Sequence, residues 1–347
     1  MKCILKYFVS ILFSILVIGC GDSKREKKAP LLKVRAPLNQ IIVIASEKTW
    51  NTGFKTFMLD SLIQSRKGMF FSEPEFSVRQ FSTLATAKSY KKFPNYIILK
   101  KGKENIKFEE DVLAQGQTVV TISGETLQSI EKTLISNKTT IFKKFHQNDE
   151  KMWLSHHIGK YHDAYPELDK MGVFFRIPLS YRKVQREKDF VHYQYDVSDK
   201  TRIRSANLTV IRKPYGLDSI DLEDIISLRD LIGRKHIKSS EENSYMETHR
   251  LLDDYLYCEV IKDSPEERVY KTSGMWSMKH DIKGGAFVNY VIIDKNRDQL
   301  FMFDGFTFVS SSGNTNTSSI FYRRDLLTEL EFIFGSYKIL EKQTSKE

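Results

Sequence analysis

Cysteine is scarce in this sequence: Cys3, Cys20 and Cys258 are the only three among 347 residues. A chain of that length buries an ample core without cross-links, so a disulfide scaffold is not expected. Cys258 sits in the alternating apolar stretch Leu256-Tyr257-Cys258-Glu259-Val260, where a free thiol reads as a small buried hydrophobe and not as a nucleophile. A membrane-spanning run is missing from the N-terminus, because residues 7–18 are broken by Ser10 and Ser14 and fall short of the roughly 20 apolar residues such a helix needs. Catalytic signatures are missing too. No strand-loop-Gly-Lys-Ser/Thr sequence occurs, which excludes a phosphate loop. No Gly-x-Ser-x-Gly elbow occurs, and Ser273 before Gly274 has no base beside it in sequence, so serine hydrolase chemistry has no support.

What is present at the N-terminus fixes a compartment before any fold is considered. Lys2 and Lys6 precede the short apolar stretch, which ends at Val17-Ile18-Gly19-Cys20; these are the parts of a signal peptide. The last four residues resemble the lipobox of bacterial lipoproteins. That resemblance implies cleavage after residue 19 and acylation of the Cys20 thiol, giving a membrane-bound protein that carries a diacylglycerol and an N-acyl chain such as palmitate. Cys3 would leave with the signal peptide, and one thiol would remain in the body. Ser23-Lys24-Arg25-Glu26-Lys27-Lys28 follows the cysteine and is basic, unlike the acidic export signal of surface-exposed Bacteroidetes lipoproteins. Gly21 is not the aspartate that retains enterobacterial lipoproteins in the inner membrane. The expected location is the periplasmic face of the outer membrane.

Charge narrows the partners. Lys and Arg exceed Asp and Glu by 10, and removal of Lys2 and Lys6 leaves +8. Half of that excess lies in residues 21–35, where Lys24, Arg25, Lys27, Lys28, Lys33 and Arg35 face only Asp22 and Glu26. A basic segment beside a lipid anchor meets anionic headgroups, each base contributing about 1 kcal/mol there. The remaining charge is spread in small runs such as Lys91-Lys92 and Lys143-Lys144. Nucleic acid is not an expected partner, since its footprint needs clustered bases or a known motif.

Beyond the tether of residues 20–36 the pattern predicts an α+β protein: two mixed α/β lobes, largely antiparallel sheets packed with amphipathic helices. The first lobe, 37–147, reads as strands at 40–45, 76–81, 96–99 and 118–122, with a helix over 53–66 and a long one ending near 145. The second lobe, 148–340, reads as strands at 173–177, 190–195, 203–211, 286–293 and 300–309. Asp218 is expected to cap a helix over 219–232, residues 310–319 a polar loop, and residues 322–340 a closing helix before the polar tail 341–347.

Several constellations invite a chemical reading. His156, His157 and His162 concentrate three of the eight histidines, but their separations of one, five and six fan the rings out, whereas a helical zinc pair needs i, i+4. They are weak metal candidates needing a distant carboxylate. Asp294-Lys295-Asn296-Arg297-Asp298 begins like a calcium loop, yet Gln299 stands where the turn needs glycine and Gly305 where a bidentate glutamate belongs; a polar hairpin tip is the plainer reading. Gly274, Gly284 and Gly285 read as bulge or turn positions. Trp276, Phe287, Tyr290, Phe301, Phe303, Phe306 and Phe308 form an aromatic set on adjacent strands, either cross-strand core pairs or a groove offered to a partner.

The C-terminal third resembles a known family. Gly274-Met275-Trp276, Asp281-Ile282-Lys283-Gly284-Gly285-Ala286-Phe287, Asp304-Gly305-Phe306-Thr307-Phe308 and Tyr322-Arg323-Arg324-Asp325-Leu326-Leu327-Thr328-Glu329-Leu330-Glu331 look like the signature of a Bacteroidetes lipoprotein family, a domain of unknown function. The resemblance extends to Glu73-Pro74-Glu75-Phe76, while members usually carry Met-Gly-Gly-Pro-Phe where this chain has Lys283-Gly284-Gly285-Ala286-Phe287. It implies a lipid-anchored envelope protein and brings no catalytic residue and no cofactor beyond the covalent lipid on Cys20. The expectation is a binding or scaffolding lipoprotein, not an enzyme, that meets an envelope protein or glycan through Trp276, Gly284, Gly285, Phe287, Phe306 and Phe308. The alternative is a periplasmic metal-assisted hydrolase using histidines of segment 156–162.

Overall fold

The structure is a computed structural model that describes residues 30–69, 73–162, 165–198, 203–250, 256–309 and 323–340. Cys20, the signal peptide, most of the tether, the expected polar loop and the tail lie outside them. Residues 33–347 form one compact unit, and the following concerns that unit.

The first lobe is built on β1 (Gln40–Ile44), β2 (Ser77–Phe81), β3 (Asn95–Lys101), β4 (Asn105–Glu110) and β5 (Thr118–Gly124), in the order β2-β1-β3-β5-β4. β1 pairs with β2 and β3, and β3 with β5, all parallel; β4 joins as an antiparallel edge. Every residue of β1 is buried, as a strand covered on both faces requires. On one face Ile41, Val43, Ile97 and Val120 meet Ile130, Leu134, Ile141 and Phe145 of α1 (Leu127–His156). On the other, Ile42, Ile44, Tyr96 and Val119 meet Phe81, Tyr90 and Phe93. The helix expected over 53–66 is instead a broken helical segment over 47–62, because Gly53 takes φ +112°. Phe54, Met58 and Leu62 still reach the core.

The Thr126 hydroxyl accepts the Ser129 N–H in a capping box that starts α1. The helix does not stop near 145. No glycine or proline interrupts residues 145–156, and Asn148, Asp149, Met152 and Trp153 are all buried. Trp153 belongs to the core of the second lobe, so the division expected at 147/148 falls inside a continuous helix.

The second lobe is an antiparallel sheet of β7 (Arg182–Glu187), β8 (Phe190–Ser198), β9 (Ile203–Pro214), β10 (Met246–Thr248), β11 (Tyr257–Asp263), β12 (Glu267–Met278), β13 (Gly284–Asp294) and β14 (Gln299–Val309). Its order is β10-β12-β13-β14-β9-β8-β7, with β11 also on β12. The expected strand at 173–177 is reduced to β6 (Val173–Phe174), which follows α2 (Pro166–Met171) and pairs with β15 (Lys338–Ile339). α3 (Leu222–His236) is capped by Asp221, whose carboxylate accepts the Asp224 N–H, and not by Asp218. α4 (Arg323–Gly335) ends earlier than expected.

Helices cover both faces of this sheet, and the aromatic set divides between them. Trp276, Phe287 and Phe306 pack with Ile226 of α3, and Phe308 joins them half-buried. Tyr290, Phe301 and Phe303 pack with Leu327, Leu330 and Phe334 of α4. Phe287 and Phe303 are 0% exposed, Trp276 5% and Phe306 4%. The expectation that this set presents a groove is therefore corrected: alternation along β13 and β14 sends successive rings into two cores. Gly285 is a packing position as well, since a Cβ there would lie 1.9 Å from the Thr307 carbonyl oxygen; at Gly284 it would meet the Trp276 carbonyl at 2.9 Å. Gly274 lies within β12, opposite Phe287, and marks neither a turn nor a bulge. The Asp294 segment is the β13–β14 hairpin tip, where the carboxylate accepts the Asn296 N–H and pairs with Arg297 at 3.0 Å.

Candidate functional site

The two lobes enclose a cleft of about 780 Å³, within the range of ligand sites in general. Its floor comes from α4, where Thr328 and Glu331 stand one turn apart on one face. Arg66, just beyond the broken helical segment, forms an ion pair with the Glu331 carboxylate and donates to the Thr328 hydroxyl at 3.0 Å. Lys271 of β12 reaches the same carboxylate oxygen at 2.8 Å. Arg66 and Glu331 side chains are each 15% exposed. Burial alone would push the Glu331 carboxyl up, but Arg66 and Lys271 outweigh it and hold it at about 2. The cleft is thus built around a carboxylate that stays ionised between two cations.

The walls mix charge with rings. Glu75 lies 2.7 Å from His146 Nε2. Lys67 sits over the Tyr257 ring at 4.1 Å and donates to its hydroxyl at 3.1 Å. Tyr290 and Phe332 supply apolar surface. Next to Lys67 the lobes meet so closely that a Cβ on Gly68, at φ +80°, would lie 2.4 Å from Ser273 Oγ. The Ser273 hydroxyl donates to the Lys67 carbonyl, and glycine is the residue that permits this approach.

Behind the cleft a buried polar joint fixes the lobes. Asn39, at φ 55°, donates its backbone N–H to Asp149 at 2.8 Å and its side-chain amide to Asp325 and Thr328. Asn95 donates to Asp149 at 3.3 Å. Burial dominates at Asp149 and pushes its carboxyl up to about 7, only partly opposed by the Asn39 N–H, His146 and Asn95. Glu73 pairs with Arg323 at 3.1 Å and accepts the Arg324 N–H at 3.0 Å, while Arg324 donates to the Pro74 carbonyl and to Ser77 Oγ. The segments Glu73-Pro74-Glu75 and Arg323-Arg324-Asp325, far apart in sequence, are each other's contacts.

Of the aromatic set singled out by sequence, Tyr290 lines this cleft, and so does Ser273, the serine weighed and set aside as a nucleophile. Trp276, Phe287, Phe306 and Gly285 are core, and Cys20 lies outside the described residues. The three histidines do not converge as ligands. His157 Nδ1 is 2.8 Å from the Trp153 carbonyl oxygen and its ring lies 4.5 Å from the indole; His162 Nε2 is 3.2 Å from the Tyr181 carbonyl oxygen. Burial, then the charges of Arg35, His157 and Lys160, lowers the His156 imidazole. Among the described residues no three His, Cys, Asp or Glu side chains are grouped to hold a metal ion. Sequence reading passed over Arg66, Lys271 and His146; Glu75 and Glu331 lay inside the quoted motifs without being assigned a role.

Fold and site together define a two-lobed α+β protein with a charged interlobe cleft. The chain carries two domains of unknown function: residues 35–156 match DUF8532 and residues 164–336 match DUF4837. The Gly274-to-Glu331 motifs fall in the second, whereas Glu73-Pro74-Glu75-Phe76 falls in the first, so that resemblance is confined to the C-terminal domain. No curated protein matches the chain. Among solved structures, the Saccharomyces cerevisiae Ran-binding protein Mog1p aligns over 49% of this chain and 91% of its own, at 10% identity and a TM-score of 0.27. A Mog1 mutant aligns over 53% and 96%, at 12% identity and 0.29. Likeness at that level carries no functional argument.

Proposed function

We propose that this protein is a lipid-anchored binding module of the cell envelope, held to the membrane through Cys20 and taking a polar envelope ligand, protein or glycan, in its interlobe cleft. The observation that carries the binding reading is the cleft itself. Lys67, Lys271 and Arg66 offer donors, Glu75, Glu150 and Glu259 offer acceptors, and Tyr290 and Phe332 offer apolar surface, all around about 780 Å³. Such a mixture suits a ligand that carries both hydroxyl or amide groups and apolar faces. The anchoring reading rests on Val17-Ile18-Gly19-Cys20 and the basic residues after it.

Two measurements test these readings separately. Radiolabelled palmitate should enter the wild-type chain and not Cys20→Ala, which should leave the membrane fraction; an unlabelled wild type ends the anchoring reading. A photoreactive residue in place of Lys67 should give one reproducible envelope adduct, absent when the probe replaces Leu231, which is 62% exposed on α3, a helix that contributes no residue to the cleft lining. Equal adducts at both positions end the cleft reading.

A further inference from the structure

A second cluster of polar groups lies on the other side of α4. Glu329 leaves the helix roughly 160° round its axis from Glu331 and faces the junction where α1 enters the second lobe. The Trp153 indole and the Tyr181 hydroxyl lie close enough to act on its carboxylate, and its charge also acts on Tyr161 and Tyr195. Trp153 and Tyr161 rings are 6.3 Å apart, and Tyr181 and Tyr195 5.5 Å apart. The His157 ring packs against Trp153 at 4.5 Å and Tyr161 at 6.1 Å, while His162 Nε2 lies 3.2 Å from the Tyr181 carbonyl oxygen.

Two features set this cluster apart from ordinary core packing. Trp153 Nε1, Tyr161 Oη and Tyr181 Oη are buried, and none closes a hydrogen bond of ordinary geometry. Buried polar groups are nearly always paired, so three such atoms around one carboxylate call for an explanation. The second feature is charge. The groups acting on Glu329 are burial, Tyr181 and Trp153, with no cation among them, and burial pushes the carboxyl up to about 7. Arg176 acts on Tyr161 and Arg204 on Tyr195, at the rim. Trp153 and Tyr181 are 4% and 0% exposed, whereas Tyr161, Tyr195 and Glu329 are half-buried and form the opening.

We propose that Glu329 with Trp153, Tyr161, Tyr181 and Tyr195 forms a binding site for the primary ammonium group of a small soluble amine. An ammonium carries three N–H donors, and the site presents three acceptors: the Glu329 carboxylate and the oxygens of Tyr161 and Tyr181. Ring faces around a carboxylate favour a cation over a neutral guest.

Calorimetric titration of the full chain with cadaverine tests this. At pH 8 binding should be saturable; at pH 5.5, where Glu329 is largely protonated, it should weaken by about 30-fold. Glu329→Gln should abolish it while keeping the fold, since the change removes an uncompensated carboxylate. Tetramethylammonium, which lacks N–H donors, should bind more weakly than cadaverine. Tyr195→Leu, at the half-buried rim, should weaken binding and serves as the second variant. No saturation at pH 8, undiminished binding by Glu329→Gln, or an affinity indifferent to pH would each overturn the proposal.

Discussion

Replacing Glu331 by glutamine removes the charge around which the cleft is organised while keeping the side chain's shape. In the fold this carboxyl is held at about 2, against 4.5 ordinarily, a gap that corresponds to about 3 kcal/mol of stability at neutral pH. Removing one partner of a buried ion pair typically costs about 3–5 kcal/mol, which agrees. The sign follows from linkage: a depressed carboxyl stabilises the fold above its unfolded value and loses that contribution as the pH falls from about 4.5 toward 2. Thermal unfolding of Glu331→Gln at pH 7 should show a Tm lowered by about 6–10 °C. The difference from wild type should shrink steadily below pH 4.5. Arg66→Lys, which keeps the charge but not the paired donors to Glu331 and Thr328, should lie between the two. A variant within 1 °C of wild type at pH 7, or a deficit that persists unchanged at pH 3, would refute the reasoning.

Asp149 should act in the opposite sense. Its carboxyl is raised to about 7 by burial, so its contribution is complete below about 3.8 and is lost as the pH rises through 7; Asp149→Asn should flatten the fall in urea midpoint across that range, leaving the part due to Glu329. Gly68→Ala combines a left-handed backbone with a contact at 2.4 Å and should destabilise by about 2 kcal/mol in chemical denaturation; a loss below about 0.5 kcal/mol would show that the lobes yield there. Phe287→Ala should lower stability by about 3–5 kcal/mol and leave crosslinking at Lys67 unchanged in the folded fraction. Normal stability with lost crosslinking would restore the reading of that ring as a contact surface.

The strands of the first lobe were legible because 40–45, 96–99 and 118–122 are short apolar runs bounded by polar residues. Their parallel pairing was not, since periodicity carries no direction. β7, with sequence Arg-Lys-Val-Gln-Arg-Glu, is an exposed edge without a buried face to print an alternation. β12 was not anticipated at all, and its Gly274 was read as a bulge or turn position, whereas the glycine lies mid-strand, where a Cβ would press on Phe287 at 2.8 Å. The aromatic set showed that rings alternate but not that both faces of the sheet are covered, which depends on α3 and α4 packing from elsewhere in the chain. The cleft was the least legible part. Arg66, Lys271 and Glu331 lie far apart in sequence, and a lone arginine, lysine or glutamate on a mixed background looks like any solvated charge. Only the fold makes them neighbours.

α1 is one rod of about 45 Å whose first half is embedded in one core and whose last turns are embedded in the other. A chain truncated at residue 147 would lose Asn148 and Asp149, which hydrogen-bond Thr118 and Asn95 of the first lobe, and a chain begun at 148 would carry Trp153 on a helix stripped of the turns that anchor it. The two domains are therefore splined together like beams sharing a dowel. A tilt of the rod by about 5° about its first turn would swing Trp153, 26 residues along it, by about 3 Å, so a ligand that tilts one jaw of the cleft would also lever the cluster around Glu329.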